Sequence, residues 1–367
     1  MKRSIYILLP TVSAVGPINV VFDICAELFS DFAITVLVLG ETAMRSRRDD
    51  FERIGINVIR VNIFDIFKIL SSAKVGDIFH SHGLRPDLLA FFLSIYYKNK
   101  INFFSTVHSK LVDDYCMSYG KLKGIPAAML HAEVLKIIPG VISVSDVVGQ
   151  YLASQGVGNR RIFNGIDVNR FSRASDFFFR KKIGILEGEK LVVSVGSLSY
   201  LKNQQLIIRA LASSGRKDIK IYFLGGDSLK GELFKLASQL NLLDQVFFTG
   251  MIPNVEEYLG VADYVISASQ TEGLPCAVLE AISAGCVAIL SNIKAHLELT
   301  LNPEMDRLIS FFKLNDVRSL ELTFLSIPGC ELSNPHYRDA AFREFRAIYS
   351  RERMGAEYRR TYGDLSW

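Results

Sequence analysis

Residues 263–285 read DYVISASQTEGLPCAVLEAISAG, and this stretch decides the fold. It begins with a short apolar run, residues 263–269, of the kind that forms a buried strand. Gly273 and Pro275 end that run, and Pro275 suits the first turn of a helix, which we predict from about Cys276 to Ser283. A strand that leads through a short loop into a helix is half of a βαβ unit, the building block of parallel sheets.

Strands and helices of the same kind extend outward from this unit and fall into two series. Their apolar runs do not alternate with polar residues, which is typical of strands covered on both faces. The first series predicts strands at 4–10, 32–40, 56–62, 77–82, 101–108 and 141–145, with a helix at 19–29. The second predicts strands at 190–196, 219–224, 246–250, 263–269 and 285–291, with a helix at 204–211. Two such series predict two doubly wound α/β domains.

The domain boundaries follow from the segment between the two series, residues 163–187, which combines an Asn-Gly pair with several Phe and basic residues. We predict an N-terminal domain at 1–168 and a C-terminal domain at 169–335, with 163–173 as the hinge. A C-terminal helical segment, 336–367, is predicted to pack back on the N-terminal domain. Ligands of open parallel sheets bind beyond the carboxyl ends of the strands, so the predicted site is a cleft between the domains.

Composition excludes several classes of protein. The chain has 367 residues, of which 49% are hydrophobic and 22% charged, so a globular protein of about two domains is expected. A net charge of +4 is far from that of a dedicated DNA-binding domain, and no nucleic-acid partner is predicted. The five scattered cysteines (Cys25, Cys116, Cys276, Cys286 and Cys330) indicate neither a disulfide framework nor a zinc site, which favours a reducing compartment.

Two carboxylates and a lysine are the candidate functional residues near the predicted strand ends. Glu272 precedes the helix and Glu280 lies within it, where carboxylates can accept hydrogen bonds from sugar hydroxyls. The N-terminus of that helix attracts phosphate, and Lys202, which follows the strand at 190–196, could neutralise a diphosphate. Together these groups favour a nucleotide-sugar ligand. The alternative is that Glu272 caps the helix while Glu280 and Lys202 are ordinary solvated residues.

The spacing from Glu272 to Glu280, in its EGLP…LEA context, resembles the E-x7-E signature of retaining glycosyltransferases of family 4. Other segments resemble the family's motifs in the same order: 77–83 (DIFHSHG), 106–108 (TVH), 143–145 (SVS), 163–171 (FNGIDVNRF) and 195–202 (VGSLSYLK). The resemblance implies two Rossmann-like domains of the GT-B type facing a central cleft. It also implies metal-independent, retaining transfer of a hexosyl unit from a nucleotide-sugar, UDP being favoured, to a hydroxyl of a glycan or lipid-linked glycan. Bacterial O-antigen, capsule or related surface polysaccharide synthesis is the implied setting.

The resemblance also assigns roles to individual residues. Glu272 would bind hydroxyls of the donor sugar and His108 would face that sugar, so these two are the catalytic candidates. The predicted donor-binding residues are Gly16, Ser197, Lys202, Gly273, Leu274 and Glu280. Among them, Lys202 and the backbone N–H groups of Gly273 and Leu274 would hold the diphosphate, which Gly16 would approach closely, and Glu280 would bind the ribose. Ser197 stands where the family usually has an Arg, so it supplies a hydrogen bond but no charge. No cofactor is expected, because the nucleotide-sugar is itself a substrate, and no metal site is expected.

Two alternative functions and a location complete the predictions. A nucleotide-sugar 2-epimerase-like isomerase also has paired Rossmann domains, and a non-catalytic GT-B partner subunit would keep the fold without turnover.

No run of 18 apolar residues exists, and residues 4–10 fit a first strand better than a signal peptide, so a cytoplasmic location is predicted. Two aromatic and basic clusters suit the inner face of an anionic membrane: Phe91, Phe92, Tyr96, Tyr97, Lys98, Lys100 and Phe103, and then residues 177–182. A buried helix followed by solvated charges explains those clusters equally well.

Overall fold

The computed structural model describes residues 2–40, 46–171, 177–300, 305, 308–327 and 335–363. The chain divides into two compact units. Unit 1 comprises Met1–Gly165 and Arg351–Trp367, and unit 2 comprises Ile166–Ser350. Cys330 and the rest of the segment 328–334 lie outside the described residues.

Unit 1 is a seven-stranded parallel sheet flanked by helices, with strand order β3-β2-β1-β4-β5-β6-β7. Its strands are β1 (Ser4–Leu9), β2 (Ala33–Val38), β3 (Asn57–Arg60), β4 (Asp77–Ser81), β5 (Ile101–Val107), β6 (Gly140–Ser143) and β7 (Arg160–Arg161). Its helices are α1 (Gly16–Leu28), α2 (Arg48–Arg53), α3 (Ile63–Ser71), α4 (Leu84–Tyr97), α5 (Leu111–Tyr119), α6 (Lys121–Leu135), α7 (Asp146–Ser154) and α16 (Arg351–Gly363).

Unit 2 is a six-stranded parallel sheet with the order β10-β9-β8-β11-β12-β13. Its strands are β8 (Lys190–Val195), β9 (Ile219–Leu224), β10 (Val246–Gly250), β11 (Tyr264–Ser267), β12 (Val287–Ser291) and β13 (Ile309–Phe312). Its helices are α8 (Phe177–Lys182), α9 (Gln204–Ser214), α10 (Glu232–Gln239), α11 (Val255–Val261), α12 (Cys276–Ser283), α13 (Lys294–Leu297), α14 (Val317–Ser326) and α15 (Pro335–Tyr349).

Each sheet reverses its strand order at one point, and each reversal is the place where an open parallel sheet binds ligands. In unit 1 the reversal lies between β1 and β4, and in unit 2 between β8 and β11. At such a switch point the connections after neighbouring strands leave in opposite directions, which opens a crevice at the carboxyl ends. The loop before Gly16 and His82 follow β1 and β4, while Gly196 and the loop containing Glu272 follow β8 and β11.

The C-terminal segment differs from its predicted placement, because its two helices belong to different units. On α15, Phe345 and Tyr349 are buried, and the Arg346 guanidinium donates to the Ser283 carbonyl at the end of α12 in unit 2. By contrast, α16 packs on α1 in unit 1, with Tyr358 and Tyr362 buried. Unit 1 is therefore formed by two separate stretches of the chain, and the whole of unit 2 lies between them in sequence. In the part of the chain that the structure describes, every helix is too short or too polar to cross a membrane.

Candidate active site

The loops after β8 and β11 bring Lys202 and Glu272 together. The Lys202 Nζ lies 2.5 Å from the Glu272 Oε1, and the two side chains are 29% and 14% exposed. A sharp turn sets up this geometry, because Asn203, at the N-cap of α9, has a φ of 52°. The Gln270 N–H donates to the Leu201 carbonyl at 2.8 Å and ties the two loops to each other. A half-buried ion pair thus lies at the strand-order reversal of unit 2.

The environment of Glu272 keeps its carboxylate ionised. Burial alone would raise the pKa of Glu272, but the charge and hydrogen bond of Lys202 outweigh it, so the pKa lies below its ordinary value. The Ser269 hydroxyl donates a further hydrogen bond to the Glu272 Oε1 at 2.7 Å. An ionised carboxylate only accepts hydrogen bonds, so Glu272 can bind hydroxyl or cationic groups but repels a phosphate.

A buried network behind Glu272 supports it. Ser291 donates from its hydroxyl to the Ser269 carbonyl at 2.7 Å, and the His296 Nδ1 lies 2.8 Å from the Ser291 carbonyl. Because a carbonyl only accepts, the His296 Nδ1 carries a proton, and burial lowers the pKa of this imidazole. All three side chains are fully buried. Sequence analysis missed Ser269 and His296; the position of Ser269 at the end of a predicted strand was the available signal, and His296 had none.

The helix predicted from Cys276 to Ser283 has those bounds in the structure, as α12. Pro275 is its N-cap, and among the described residues no side chain caps this end. Gly273 and Leu274 are buried in the loop that leads into the helix. Their backbone and the first turn of α12 therefore lie beside Glu272, where the positive end of the helix would attract an anion. Glu280 is half-buried on α12 and has interactions of its own.

Ser197 lies in a tightly packed turn next to this group. Its side chain is exposed, while its carbonyl accepts a hydrogen bond from the Gln204 Nε2 at 3.0 Å. The turn packs against the end of β9, where a Cβ on Gly225 would lie 2.0 Å from the Gly196 carbonyl oxygen. The φ of Gly225 is 159°, which is close to that of extended backbone. The close approach to Gly196 is therefore the main reason for a glycine at this position.

In unit 1, His108 directly follows β5 and contacts His82, which directly follows β4. The His82 Nδ1 and the His108 Nε2 are 3.0 Å apart, and the two rings are stacked with centroids separated by 5.3 Å. Burial lowers the pKa of His108 to about 4 and holds the pKa of His82 well below its ordinary value. Both imidazoles are therefore neutral near pH 7. Across the described residues, no group of three His, Cys, Asp or Glu side chains is placed to hold a metal ion.

His80 anchors this pair from inside the sheet. Its Nδ1 is 2.6 Å from the Tyr362 hydroxyl and its Nε2 is 2.8 Å from the Thr106 hydroxyl, so both ring nitrogens have partners. The Thr106 hydroxyl also lies 3.0 Å from the Tyr358 hydroxyl. His80 is fully buried, and burial lowers its pKa to about 3. Tyr358 and Tyr362 come from α16, so residues far apart in sequence complete this network.

Gly16 begins α1, immediately before Pro17. A Cβ placed on Gly16 would meet no atom within 4 Å, so the packing of the protein itself does not require a glycine there. Two of the predicted site residues, Gly16 and His108, lie in unit 1. Ser197, Lys202, Glu272, Gly273, Leu274 and Glu280 share unit 2, where the structure brings Lys202 into contact with Glu272.

Solved structures identify the fold class. The structure of Anabaena Alr3699/HepE in complex with UDP matches with a TM-score of 0.82, covering 99% of this chain and 100% of that one at 14% identity. Its complex with UDP-glucose matches with a TM-score of 0.81 at 16% identity. The predicted fold class, two Rossmann-like parallel-sheet domains of the GT-B type, is confirmed.

Sequence comparisons find glycosyltransferases among the proteins that are similar to this chain. Residues 175–312 match the family model described as "Glycosyl transferases group 1". Over 353 residues the chain is 26% identical to the O-antigen biosynthesis glycosyltransferase WclY of Escherichia coli, covering 95% of each chain. It is 27% identical over 269 residues to the capsular polysaccharide biosynthesis glycosyltransferase CapH of Staphylococcus aureus, covering 68% of this chain and 71% of that one. These findings support a glycosyltransferase with homologues in O-antigen and capsule synthesis.

Proposed function

We propose that the protein is a retaining hexosyltransferase that uses a UDP-sugar and extends a bacterial surface polysaccharide, either an O-antigen or a capsule. The contact between Lys202 and Glu272 carries this proposal. In this contact a cation and a carboxylate, a group that can accept hydrogen bonds from hydroxyls, lie side by side next to the N-terminus of α12. A nucleotide-sugar carries the two complementary groups, because its anionic diphosphate is bonded directly to a sugar ring that bears hydroxyls. Neighbours of this fold crystallised with UDP and with UDP-glucose support the choice of nucleotide.

The proposed reaction breaks the bond between the anomeric carbon and the diphosphate oxygen and forms a bond from that carbon to an acceptor hydroxyl on the same face. The hydroxyl proton passes to the departing phosphate. Negative charge grows on the leaving oxygens, where Lys202 and the first turn of α12 would stabilise it. Glu272 would orient the sugar through its hydroxyls, and Glu280 would bind the ribose. The Lys202 ammonium, which the free protein pairs with Glu272, would then also bind the diphosphate.

Product analysis tests the proposal. The purified protein is incubated in EDTA with UDP- and GDP-sugars, with and without a lipid-linked glycan extract, and the products are identified. We expect UDP release and a new glycoside whose anomeric configuration is that of the donor. The Glu272→Gln variant should lose this activity. Glu189→Gln, which alters a carboxylate of similar exposure in an ion pair with Lys220, is the matched control and should retain it.

The other outcomes separate the alternative functions. An epimerised nucleotide-sugar without glycoside would identify an isomerase. UDP binding without turnover of any donor, even in the presence of the extract, would identify a non-catalytic subunit. An inverted anomeric configuration would contradict the retaining mechanism while leaving the transferase in place.

Membrane contact is proposed for a surface on α3 and α4, which we call the aromatic surface: Phe64, Phe67, Phe92 and Tyr96. Phe64, Phe92 and Tyr96 are 81%, 61% and 73% exposed. The rings of Phe67 and Tyr96 lie 6.1 Å apart, so the two helices share the surface, and Lys98 is exposed beside it. Exposed aromatic rings with neighbouring lysines favour an anionic lipid surface.

Not every residue of the predicted clusters lies on a surface. Phe103 is buried in β5. In the second cluster, Phe179 is buried, and the Arg180 guanidinium donates to Asp263 and to two backbone carbonyls within unit 2. Only part of each aromatic and basic cluster is therefore available to a membrane.

Vesicle sedimentation tests the membrane proposal. We expect binding to phosphatidylglycerol vesicles and not to phosphatidylcholine vesicles, and a loss of binding in the Phe92→Ser/Tyr96→Ser variant. Phe234→Ser, which removes a 53% exposed aromatic ring from unit 2, is the control and should bind like the wild type. Equal binding by all three proteins would contradict a role for the aromatic surface.

A further inference from the structure

We propose that His82 is a positioning residue that holds His108 in the tautomer with its proton on Nδ1. In this state His108 presents an N–H donor to the substrate and acts neither as a base nor as a cation. The choice of substrate oxygen rests on the proposed function, in which that oxygen belongs to the nucleotide-sugar. The tautomer itself follows from the hydrogen bonds of the free protein.

The first step is that one proton lies between the two imidazoles. The His82 Nδ1 and the His108 Nε2 are 3.0 Å apart, a hydrogen-bond distance that requires one nitrogen to donate and the other to accept. Both rings are neutral near pH 7, because burial lowers the pKa of each. A neutral imidazole carries a single N–H, so the direction of this hydrogen bond fixes the tautomers of both residues.

The second step uses the other nitrogen of His82. The His82 Nε2 is buried and has no hydrogen-bond partner among the described residues. If His108 donated to His82, the proton of His82 would lie on this Nε2, as a buried N–H without an acceptor. If His82 donates from Nδ1, its Nε2 keeps only a lone pair. Buried N–H groups without partners are rarer in proteins than acceptors with unused lone pairs, so His82 is the donor.

The third step is that the ring of His82 cannot turn easily to escape this arrangement. His82 is 3% exposed and lies between two other imidazoles, with centroid distances of 4.4 Å to His80 and 5.3 Å to His108. Both nitrogens of His80 are already occupied, by Tyr362 and Thr106. The orientation of His82 is therefore set by packing and by its bond to His108.

The consequence falls on His108, which is only half-buried. Its Nε2 accepts from His82, so its own proton lies on Nδ1. That N–H has no partner in any hydrogen bond among the described residues and can donate to a substrate. A donor of this kind fits an oxygen acceptor, namely a sugar hydroxyl or a phosphate oxygen, and cannot remove a proton from an acceptor hydroxyl.

Nitrogen-15 NMR of the full-length protein tests the inference without any substrate. Long-range proton–nitrogen correlations of histidine-labelled protein distinguish the two tautomers, and His108 is assigned by its loss in His108→Asn. We expect the Nδ1-protonated pattern for His108. His296 is an internal reference for that pattern, because its Nδ1 donates to the Ser291 carbonyl. A His108 protonated on Nε2 in the wild type would overturn the proposal.

Two substitutions of His82 separate positioning from packing. Asparagine keeps an amide N–H near the place of the imidazole Nδ1, whereas phenylalanine keeps the ring stack and removes the donor. We expect His82→Phe to shift His108 towards the Nε2-protonated tautomer and to lower kcat/KM about tenfold, the worth of one hydrogen bond. His82→Asn should keep the tautomer and most of the activity. Equal activity of His82→Phe and wild type would overturn the positioning role.

The outcomes also separate this inference from the proposed function. If the wild type turns over no nucleotide-sugar, the proposed function fails, and the NMR measurement still decides the tautomer. If turnover occurs and His108 carries its proton on Nε2, the inference fails and the proposed function stands.

Discussion

Replacing Lys202 by methionine would leave the Glu272 carboxylate half-buried without its cation. The side chain of Glu272 is 14% exposed and its Oε1 would keep only the hydrogen bond from Ser269. Removing one partner of a buried hydrogen bond costs about 1–3 kcal/mol, and removing one partner of a fully buried ion pair costs more. Because the Lys202–Glu272 pair is partly exposed, we expect a cost in the lower range. We expect a loss of about 2 kcal/mol in the free energy of unfolding of unit 2 at pH 7.

The loss should depend on pH in a defined direction. In the wild type the pKa of Glu272 is lowered from 4.5, so the ion pair stabilises the fold above about pH 4.5 and ceases to do so as pH falls through the lowered value. In Lys202→Met burial is no longer opposed by the lysine, so the pKa of Glu272 rises and the carboxyl takes up a proton as the pH falls. The difference in stability between the two proteins should therefore shrink from pH 7 to pH 4.

Urea denaturation, fitted with one transition for each unit, measures the stability, and titration calorimetry measures UDP affinity. Lys202→Met should weaken UDP binding by about 10- to 100-fold, the worth of a hydrogen bond to a charged group. Lys220→Met is the matched control, because Lys220 lies 3.3 Å from Glu189 in a second partly buried ion pair of unit 2, with the two side chains 14% and 15% exposed. It should cost similar stability and leave UDP affinity unchanged.

A double variant checks the reasoning. Adding Glu272→Gln to Lys202→Met removes the stranded charge and should restore part of the lost stability, which a double-mutant cycle would reveal as coupling. Equal weakening of UDP binding in Lys202→Met and Lys220→Met would refute the assignment of Lys202 to the diphosphate. A stability loss that is the same at pH 7 and pH 4 would refute the electrostatic account.

Three further predictions concern other parts of the molecule. Gly16→Ala should leave the melting temperature unchanged or slightly raised, because its Cβ meets open space, and should raise the KM for the donor; an unchanged KM would contradict a close approach of the diphosphate. Gly225→Ala should lower the free energy of unfolding by about 3 kcal/mol in denaturation experiments, because its Cβ would lie 2.0 Å from the Gly196 carbonyl oxygen. A loss below about 0.5 kcal/mol, which is typical of surface substitutions, would contradict this collision. The stability of unit 1 should fall between about pH 6.5 and pH 4, because the pKa values of His80 and His108 are lowered from 6.5 to about 3 and about 4 and only the unfolded chain takes up protons in that range. Calorimetry at pH 7 and pH 5 checks this, and an equal melting temperature at both values would contradict it.

Continuous apolar runs made the sheets predictable. The strands at 219–224 and 246–250 were predicted with the bounds that the structure gives them. The first is largely buried, as its apolar run predicts, whereas the second is an edge strand in which only Val246 is buried. Strand β7 was missed because Arg160–Arg161 is polar and short; it is a strand only through its pairing with β6. Such tertiary pairing leaves no local signal.

The site was predictable where a loop follows a strand and not where packing assembles it. Lys202 and Glu272 stood out because each follows a predicted strand, and parallel strands bring their carboxyl ends to one edge. The contact of His296 with Ser291, behind Glu272, has no such pattern. Nor does the contact of His80 with Tyr362, which joins residues 282 positions apart. Contacts between residues so far apart in sequence depend on the topology of the fold, which the pattern of a single sequence does not reveal.

The division of the chain also bears on the order of folding during synthesis. Unit 2 is one continuous stretch, Ile166–Ser350, and can fold as soon as it is complete. Unit 1 emerges first from the ribosome, but its core includes Tyr358 and Tyr362 of α16, which are made after all of unit 2. Domains generally complete folding in order from the N-terminus, and this protein departs from that order. Until α16 is made, His80 lacks its Tyr362 partner, and the sheet of the nascent first domain leaves uncovered the apolar surface that Tyr358 and Tyr362 later bury.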